Sequence, residues 1–94
     1  MNYNFKPTRI FLEQLNDLSL KSKKILKDKL GLIRLNPARN KRILGYNLFL
    51  FRVRLKDKSK EKRIIYLLDK NNIELICILN RDKNYKDLKK YLEK

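Results

Sequence analysis

Apolar residues recur along this chain at two different spacings, and the change of spacing divides it into a helical part and a strand part. In the first part they fall three or four residues apart, in two stripes: Phe11, Leu15 and Leu18, then Leu26, Leu30 and Ile33. Such stripes predict two amphipathic helices. The second should begin near Ser19 or Ser22 and end at Asn36-Pro37, because proline cannot continue a helix. We expect the two helices to form a hairpin.

From Ile43 onward the apolar period becomes two, which is typical of β-strands. Three strands are predicted: residues 48–55, 63–69 and 73–81. The charged segment 56–62 should be a loop, and Asn71 and Asn72 should help to turn the second strand into the third, because asparagine tolerates positive φ. The third strand is apolar at odd and even positions alike, so we expect it in the interior of the sheet.

Both ends of the chain carry shorter patterns. Residues 3–6 alternate and form a candidate edge strand, and Pro7-Thr8 offers a helix start. Near the other end, aromatic residues and leucines mark a short basic helix: Tyr85, Leu88, Tyr91 and Leu92. Because the chain has 94 residues and no linker-like segment, it is predicted to form one domain over residues 1–94.

The composition narrows the possible functions. The chain has no histidine and a single cysteine, Cys77, which argues against transition-metal sites and histidine-based catalysis. Because Cys77 lies between Ile76 and Ile78, we interpret it as a small buried hydrophobe. There is no glycine-rich nucleotide loop, no apolar stretch of about 20 residues and no apolar signal segment. We therefore expect a cytoplasmic protein without a membrane span, cofactor or metal.

The net charge of +15 would attract nucleic acid or an acidic protein, although many of the lysines could equally be solvated surface. The arginines are more informative. Four of them stand in or at the ends of predicted strands: Arg52, Arg54, Arg63 and Arg81. Because an unpaired guanidinium is costly to bury, a sheet that gathers several should hold them on an open face against an anion. We expect that anion to be a phosphate.

Strand geometry supports a shared site for these arginines. Arg52 and Arg54 are two residues apart, so they point to one face at roughly 6.5 to 7 Å separation. If the next strands are antiparallel neighbours, Arg63 and Arg81 can approach the same face. The competing interpretation is that the arginines pair with nearby acids: Asp57, Glu61, Asp69 or Asp82.

The order of these segments resembles the RelE/ParE toxin superfamily over nearly the whole chain. After the helical hairpin that ends in Asn36-Pro37, five segments carry the resemblance: Leu44-Gly45, Phe51-Arg52-Val53-Arg54-Leu55, Lys62-Arg63-Ile64-Ile65-Tyr66, Ile78-Leu79-Asn80-Arg81 and Tyr85. The resemblance implies an α+β fold with an N-terminal helical hairpin packed on an antiparallel β-sheet and a short C-terminal helix. It also implies the toxin of a type II toxin–antitoxin system, which forms a hetero-oligomer with a cognate RelB-like antitoxin.

RelE-type members of the superfamily cut mRNA in the ribosomal A site, with the 2′-hydroxyl of the RNA as nucleophile. ParE-type members act on DNA gyrase and lack the RNase residues. Because Arg81 has Tyr85 nearby, the resemblance favours the RelE type, a ribosome-dependent mRNA endoribonuclease that inhibits translation. The alternatives are a non-catalytic ParE-like gyrase inhibitor and an inactive basic nucleic-acid-binding module.

The resemblance also implies three catalytic residues. Arg63 corresponds to the arginine that stabilises the scissile phosphate, and Arg81 corresponds to a second catalytic arginine. Tyr85 corresponds to a tyrosine that stacks on the substrate or helps to activate it. The alternative role of Tyr85 is to anchor the terminal helix by packing.

The predicted RNA- and phosphate-binding residues are Arg52, Arg54 and Lys56. Arg52 and Arg54 stand where RelE-type enzymes usually have lysines. Because arginine stays protonated in proteins, these two residues can bind phosphate but are poor candidates for a general base. The base is left open between Tyr85 and a lysine, either Lys56 or Lys62.

Overall fold

The computed structural model describes residues 3–81 and 88–92 of the chain. Its helices and strands follow in this order: β1 (Asn4–Pro7), α1 (Arg9–Asn16), α2 (Leu20–Leu35), β2 (Lys41–Ile43), β3 (Leu50–Asp57), β4 (Lys60–Asp69), β5 (Asn72–Asn80) and α3 (Leu88–Leu92). The predicted helical hairpin, edge strand and three main strands are all present. The sequence did not predict β2, because three residues are too few for an alternating pattern to stand out. No helix in the described part of the chain has the length and apolar character to cross a membrane.

The five strands form one mixed sheet in the order β1-β5-β4-β3-β2. The fold is α+β as expected, and the pairings among β2, β3, β4 and β5 are antiparallel. β1 pairs parallel with β5, which corrects the prediction of an antiparallel sheet. A hairpin forces antiparallel pairing, but β1 is separated from β5 by two helices and three strands, and so long a connection permits the parallel arrangement.

β5 is apolar at nearly every position because a buried core lies on each of its faces, and a β-bulge interrupts the alternation between them. Ile65 is paired with Cys77, but the next residue, Tyr66, is paired with Leu75, so Ile76 is an extra residue in β5. Ile76 and Cys77 therefore both contribute to the core on one face of the sheet, while Leu75 contributes to the core on the other. Cys77 is a buried thiol outside any disulfide, as its apolar neighbours predicted.

The helical hairpin covers one face of the sheet. Thr8 caps α1 by accepting a hydrogen bond from the Phe11 amide at 3.0 Å, and Ser19 caps α2 by accepting one from the Ser22 amide at 3.2 Å. The apolar stripes of both helices pack on the sheet in a buried core: Phe11, Leu18, Leu26, Ile33, Phe51, Leu55, Ile64, Tyr66, Ile73, Leu75 and Ile78. Burial of each large side chain stabilises the fold by about 1.5–3 kcal/mol, so this packing is the main source of stability.

The opposite face of the sheet is covered over part of its length by the residues that the structure describes. α3 and Tyr46 pack there on a second buried core: Ile43, Leu50, Ile65, Ile76, Cys77, Leu79 and Leu88. Beyond Leu50 and Ile65, toward the turn between β3 and β4, the same face carries charged side chains. The sheet therefore has one end suited to packing and one end suited to an ionic partner.

Two turns differ from the prediction. The segment 56–62 is the end of a β-hairpin with a two-residue turn at Lys58 and Ser59, because β3 and β4 stay paired as far as Asp57 and Lys60. Lys58 and Ser59 both have positive φ, 50° and 67°. In the turn between β4 and β5 the positive φ of 55° falls on Lys70 and not on an asparagine. The sequence predicted a loop at 56–62 because the segment lacks glycine and asparagine, the residues that best tolerate positive φ.

Candidate nucleic-acid interface

Three of the predicted arginines meet at the end of the sheet that lies near the turn between β3 and β4. Arg54 of β3 lies directly opposite Arg63 of β4, and Arg52 lies opposite Ile65. Directly opposed residues share a face, with Cβ atoms roughly 4.5–5.5 Å apart. Because side chains alternate along each strand, all three arginines point to the face that carries Ile65 and the second core.

Lys56 and Arg81 extend this cluster toward the hairpin turn. Lys56 follows Arg54 by two residues and is paired with Glu61, which precedes Arg63 by two residues. Arg81 approaches from the end of β5, where its Nε lies 3.6 Å from Glu61 Oε2. We call the resulting set of five cations the arginine face: Arg52, Arg54, Lys56, Arg63 and Arg81.

Burial differs along the arginine face. Arg52 and Arg63 are half-buried, whereas Arg54, Lys56 and Arg81 are exposed. A half-buried arginine packs its apolar stem on the sheet while its guanidinium reaches the surface, and this packing restricts its orientation. The face thus combines two orientationally restricted guanidinium groups with three more exposed cations, which suits a chain of phosphates.

Asp57 is held on the other face of the sheet, at the start of α2. Its carboxylate accepts hydrogen bonds from Ser22 Oγ at 2.6 Å and Ser19 Oγ at 2.8 Å. These bonds, with that from Ser22 the stronger influence, lower the pKa of Asp57 from 3.8 to about 2. Lys62 Nζ lies 3.8 Å from the same carboxylate. Lys62 therefore points away from the arginine face, so the expectation that it could be the general base there was wrong, whereas Lys56 lies on the face.

The competing interpretation was that the arginines pair with nearby carboxylates, and the remaining acids differ in their distance from the arginine face. Asp69 ends β4, at the opposite end of that strand from Arg63, and Asp82 lies outside the described residues. Glu61 contacts Arg81, so the competing interpretation holds for that pair. Among the described residues, five cations stand beside this one carboxylate, which favours a positive potential on the face.

β2 adds a cation that the sequence did not reveal. Lys41 is exposed and lies directly opposite Arg52, on the same face of the sheet. The neighbouring Arg42 places its guanidinium over the Phe49 ring, 4.5 Å from the ring centroid, in a cation–π contact. The signal available in the sequence was the alternation of Lys41, Arg42 and Ile43, which is too short to predict a strand.

Tyr66 fixes the chain segment that leads into β2. Its hydroxyl donates a hydrogen bond to the Pro37 carbonyl at 2.5 Å and accepts one from Asn40 Nδ2 at 3.0 Å. Its ring stacks on Phe51 with the centroids 5.3 Å apart. Burial raises the pKa of Tyr66. Since it lies on the helix side, Tyr66 positions Lys41 indirectly and has no place on the arginine face.

The chemistry available on the arginine face is electrostatic. Among residues 3–81 and 88–92, no cluster of three or more side chains is suited to hold a metal ion. Guanidinium donors near a phosphate bind its charge and can stabilise the further charge of a phosphoryl-transfer transition state. Tyr85 lies outside the described residues, so its catalytic or stacking role stays a prediction.

No family model and no curated protein matches this sequence. Solved structures do match it. A double arginine-to-alanine mutant of the E. coli toxin RelE in the free state is 17% identical, with a TM-score of 0.76, over 96% of this chain and 98% of that one. The isolated E. coli RelE toxin in its P21 crystal form is 20% identical, with a TM-score of 0.69, over the same shares of 96% and 98%.

A third similar structure is the intact E. coli RelBE toxin–antitoxin complex. There the identity is 21% and the TM-score is 0.67, over 82% of this chain and 94% of the matched chain. Together these comparisons show that this chain has the α+β fold of those structures. The particular fold is that of RelE, as the resemblance in sequence order predicted. At these identities they show the fold alone, and the chemistry has to be argued from the side chains of this chain.

Proposed function

We propose that this protein is the toxin of a type II toxin–antitoxin system and acts as a ribosome-dependent mRNA endoribonuclease that inhibits translation. The observation that carries the proposal is the arginine face itself. On a RelE fold, Arg52, Arg54 and Arg63 gather on the end of the sheet that the second core leaves uncovered. Guanidinium groups gathered on one face can bind several phosphates at once, and RNA supplies a regular series of phosphates.

The proposed reaction is transfer of a phosphoryl group within the RNA. The 2′-oxygen bonds to the adjacent phosphorus, and the bond from phosphorus to the 5′-oxygen of the next nucleotide breaks. A base takes the proton of the 2′-hydroxyl, and an acid gives a proton to the leaving 5′-oxygen. The products are a 2′,3′-cyclic phosphate and a 5′-hydroxyl end. Negative charge grows on the non-bridging oxygens, and fixed donors aimed there lower the barrier.

In this scheme Arg63 and Arg81 are the catalytic arginines. Arg63 is held by a central strand and is half-buried, which suits a donor that must keep its geometry during the reaction. Arg52, Arg54 and Lys56 bind the flanking phosphates. Tyr85 or Lys56 supplies the general base, and the ribosome orients the RNA.

The partner that restrains this toxin is a RelB-like antitoxin, with which it forms a hetero-oligomer in the cytoplasm. Two observations support this part of the proposal. The fold matches a chain of the E. coli RelBE toxin–antitoxin complex. The net charge of +15 makes an acidic or helical partner segment electrostatically favourable. Binding to such a partner should weaken as salt rises.

The decisive experiment adds the purified chain to ribosomes programmed with a defined mRNA and maps the cuts by primer extension. We expect cuts in phase with codons, present with ribosomes and strongly reduced on the same RNA alone. The double variant Arg52→Gln/Arg54→Gln should lose most of this activity. The matched control is Arg9→Gln, which removes a charge from the exposed surface of α1 and should cleave like the parent.

A second candidate is a toxin that inhibits gyrase without chemistry. It is favoured by the small number of candidate general bases on the arginine face. Residues 52 and 54 are arginines, which stay protonated, and among the described residues Lys56 is the candidate base that remains there. If expression leaves translation intact while DNA supercoiling fails, this second function replaces the first. If neither process is affected, the chain is a basic nucleic-acid-binding module.

A further inference from the structure

In the part of the chain that the structure describes, one carboxylate, that of Glu61, stands among the cations of the arginine face. Glu61 is paired with Lys56 across the two strands and is two residues from Arg63. Its side chain is 29% exposed, and its Oε2 is buried and lies 3.6 Å from the Nε of Arg81. The carboxylate is thus built into the strand rather than carried on a free loop.

The presence of Glu61 is unfavourable for simple RNA binding. A negative charge beside a phosphate site repels the ligand and reduces the net number of cations that the RNA can engage. The ion pair also adds little to stability, because the Arg81 side chain is 70% exposed and partly exposed pairs are weak. The cross-strand pair of Glu61 with Lys56 gives a small gain in stability, but that gain does not involve Arg81.

The position of Arg81 gives a reason for a carboxylate at position 61. It lies just past the end of β5 at Asn80, so its long side chain has rotamer freedom that a strand interior would remove. The ion-pair contact at 3.6 Å, which is not a hydrogen bond, favours the orientations in which Nε faces Glu61. The two terminal nitrogens of the guanidinium carry the other four of its five N–H donors. Those donors are the ones that a phosphate would meet.

We propose that Glu61 is a positioning residue that orients the Arg81 guanidinium toward the scissile phosphate. This inference rests on the proposed endoribonuclease function and adds a residue to it. Glu61 acts through Arg81: it lowers the binding of RNA slightly and raises the rate of cleavage, because an oriented donor is more effective in the transition state than a freely rotating one.

The test measures two quantities for each variant: ribosome affinity, and the single-turnover rate of cleavage with toxin in excess over programmed ribosomes. Glu61→Gln keeps the shape of the side chain and removes its charge. We expect its cleavage rate to fall roughly 10-fold, while its affinity for ribosomes stays equal or increases. Glu13→Gln is the matched control, because Glu13 forms an exposed pair with Arg9 at 3.4 Å on α1, and it should change neither quantity.

A double-mutant cycle tests whether Glu61 acts through Arg81. In an Arg81→Ala background, Glu61→Gln should cause no further loss of rate. A further loss of similar size would overturn the proposal and make Glu61 an independent participant such as a general base. A parallel fall in rate and affinity, accompanied by a lower unfolding temperature, would also overturn it and indicate a structural role.

The proposed function and this inference fail in different ways. If the parent chain cuts no ribosome-bound mRNA, the endoribonuclease proposal fails. If the parent cuts and Glu61→Gln cuts equally fast, only the positioning role of Glu61 fails.

Discussion

Arg54 and Arg63 face each other across the β3–β4 pair, so two guanidinium groups occupy directly opposed positions on one face of the sheet. Like charges in such positions destabilise a sheet. The hydrophobic pattern requires an arginine at neither position, and the second core approaches this end of the face through Leu79, which is paired with Arg63. An anion that contacts both groups would turn the repulsion into a favourable interaction, and we therefore interpret the pair as part of a phosphate site.

The first prediction follows from this repulsion. Arg54→Gln should raise the free energy of unfolding by roughly 0.2–1 kcal/mol, the usual range for a cross-strand pair, while it weakens RNA binding. Urea denaturation at low salt measures the stability, and Arg39→Gln in an exposed turn is the control. The gain should shrink at high salt, which screens the repulsion. A destabilised Arg54→Gln variant would contradict this account.

The second prediction separates catalysis from binding. Arg63→Ala and Arg81→Ala should each lower the single-turnover cleavage rate by the equivalent of roughly 2.7–4 kcal/mol, because each removes a donor aimed at transition-state charge. Their ribosome affinity should change far less, since one phosphate contact among many contributes modestly. Rate measurements at saturating ribosome and equilibrium binding supply the two numbers. Equal losses in both would place these arginines with the binding residues.

The third prediction concerns Tyr85, whose position lies outside the described residues. Tyr85→Phe keeps the ring and removes the hydroxyl. If the hydroxyl transfers a proton or donates a hydrogen bond to the substrate, the cleavage rate should fall roughly 100-fold or more, and the pH dependence of the rate should change as well. Cleavage like that of the parent would leave Tyr85 a stacking or structural residue. Lys56→Gln tests the other candidate base in the same assay.

The extent to which sequence predicted this structure depends on how far each feature is local. The helix starts at Thr8 and Ser19 follow from capping side chains beside apolar stripes, and both were predictable. The common face of Arg52 and Arg54 follows from the two-residue period of a strand. Such features depend on neighbours within four residues.

Features that depend on distant partners were not predictable in this way. The parallel pairing of β1 is decided by where the sheet has a free edge. Glu61 and Lys62 are adjacent in sequence, yet one joins the arginine face and the other contacts Asp57 on the helix side. That division depends on the register of β4, and a shift of one residue would exchange the two. The register of β4 could not be predicted from the sequence, because the hairpin turn carries no glycine to mark its position.

The fourth prediction uses that turn. Lys58 and Ser59 adopt φ values of 50° and 67°, in a region that is costly for residues with a Cβ atom and best tolerated by asparagine and glycine. The double variant Lys58→Asn/Ser59→Gly should therefore raise the free energy of unfolding by roughly 1 kcal/mol. Lys60→Gly, placed in β4 itself, is the control and should lower it by roughly 0.5–1 kcal/mol. Denaturant unfolding measures both, and destabilisation by the turn variant would show that its present residues carry no strain.

The fifth prediction concerns Asp57, which joins the end of β3 to the start of α2 through Ser19 and Ser22. The pKa of Asp57 is lowered from 3.8 to about 2 in the folded protein. The ionised carboxylate therefore stabilises the fold, and this contribution is complete above pH 3.8 and is lost as the pH falls through about 2. Asp57→Asn, which cannot ionise, should be less stable than the parent at neutral pH.

The difference in unfolding free energy between the parent and Asp57→Asn should shrink as the solution is acidified below pH 3.8. Denaturation curves at a series of pH values measure it, with Asp28→Asn on the exposed side of α2 as the control. A difference that stays constant across the series would mean that the seryl hydrogen bonds do not depend on the charge of Asp57. Because Asp57 lies on the helix side, cleavage by Asp57→Asn should follow its folded fraction, unlike the loss expected at Arg63.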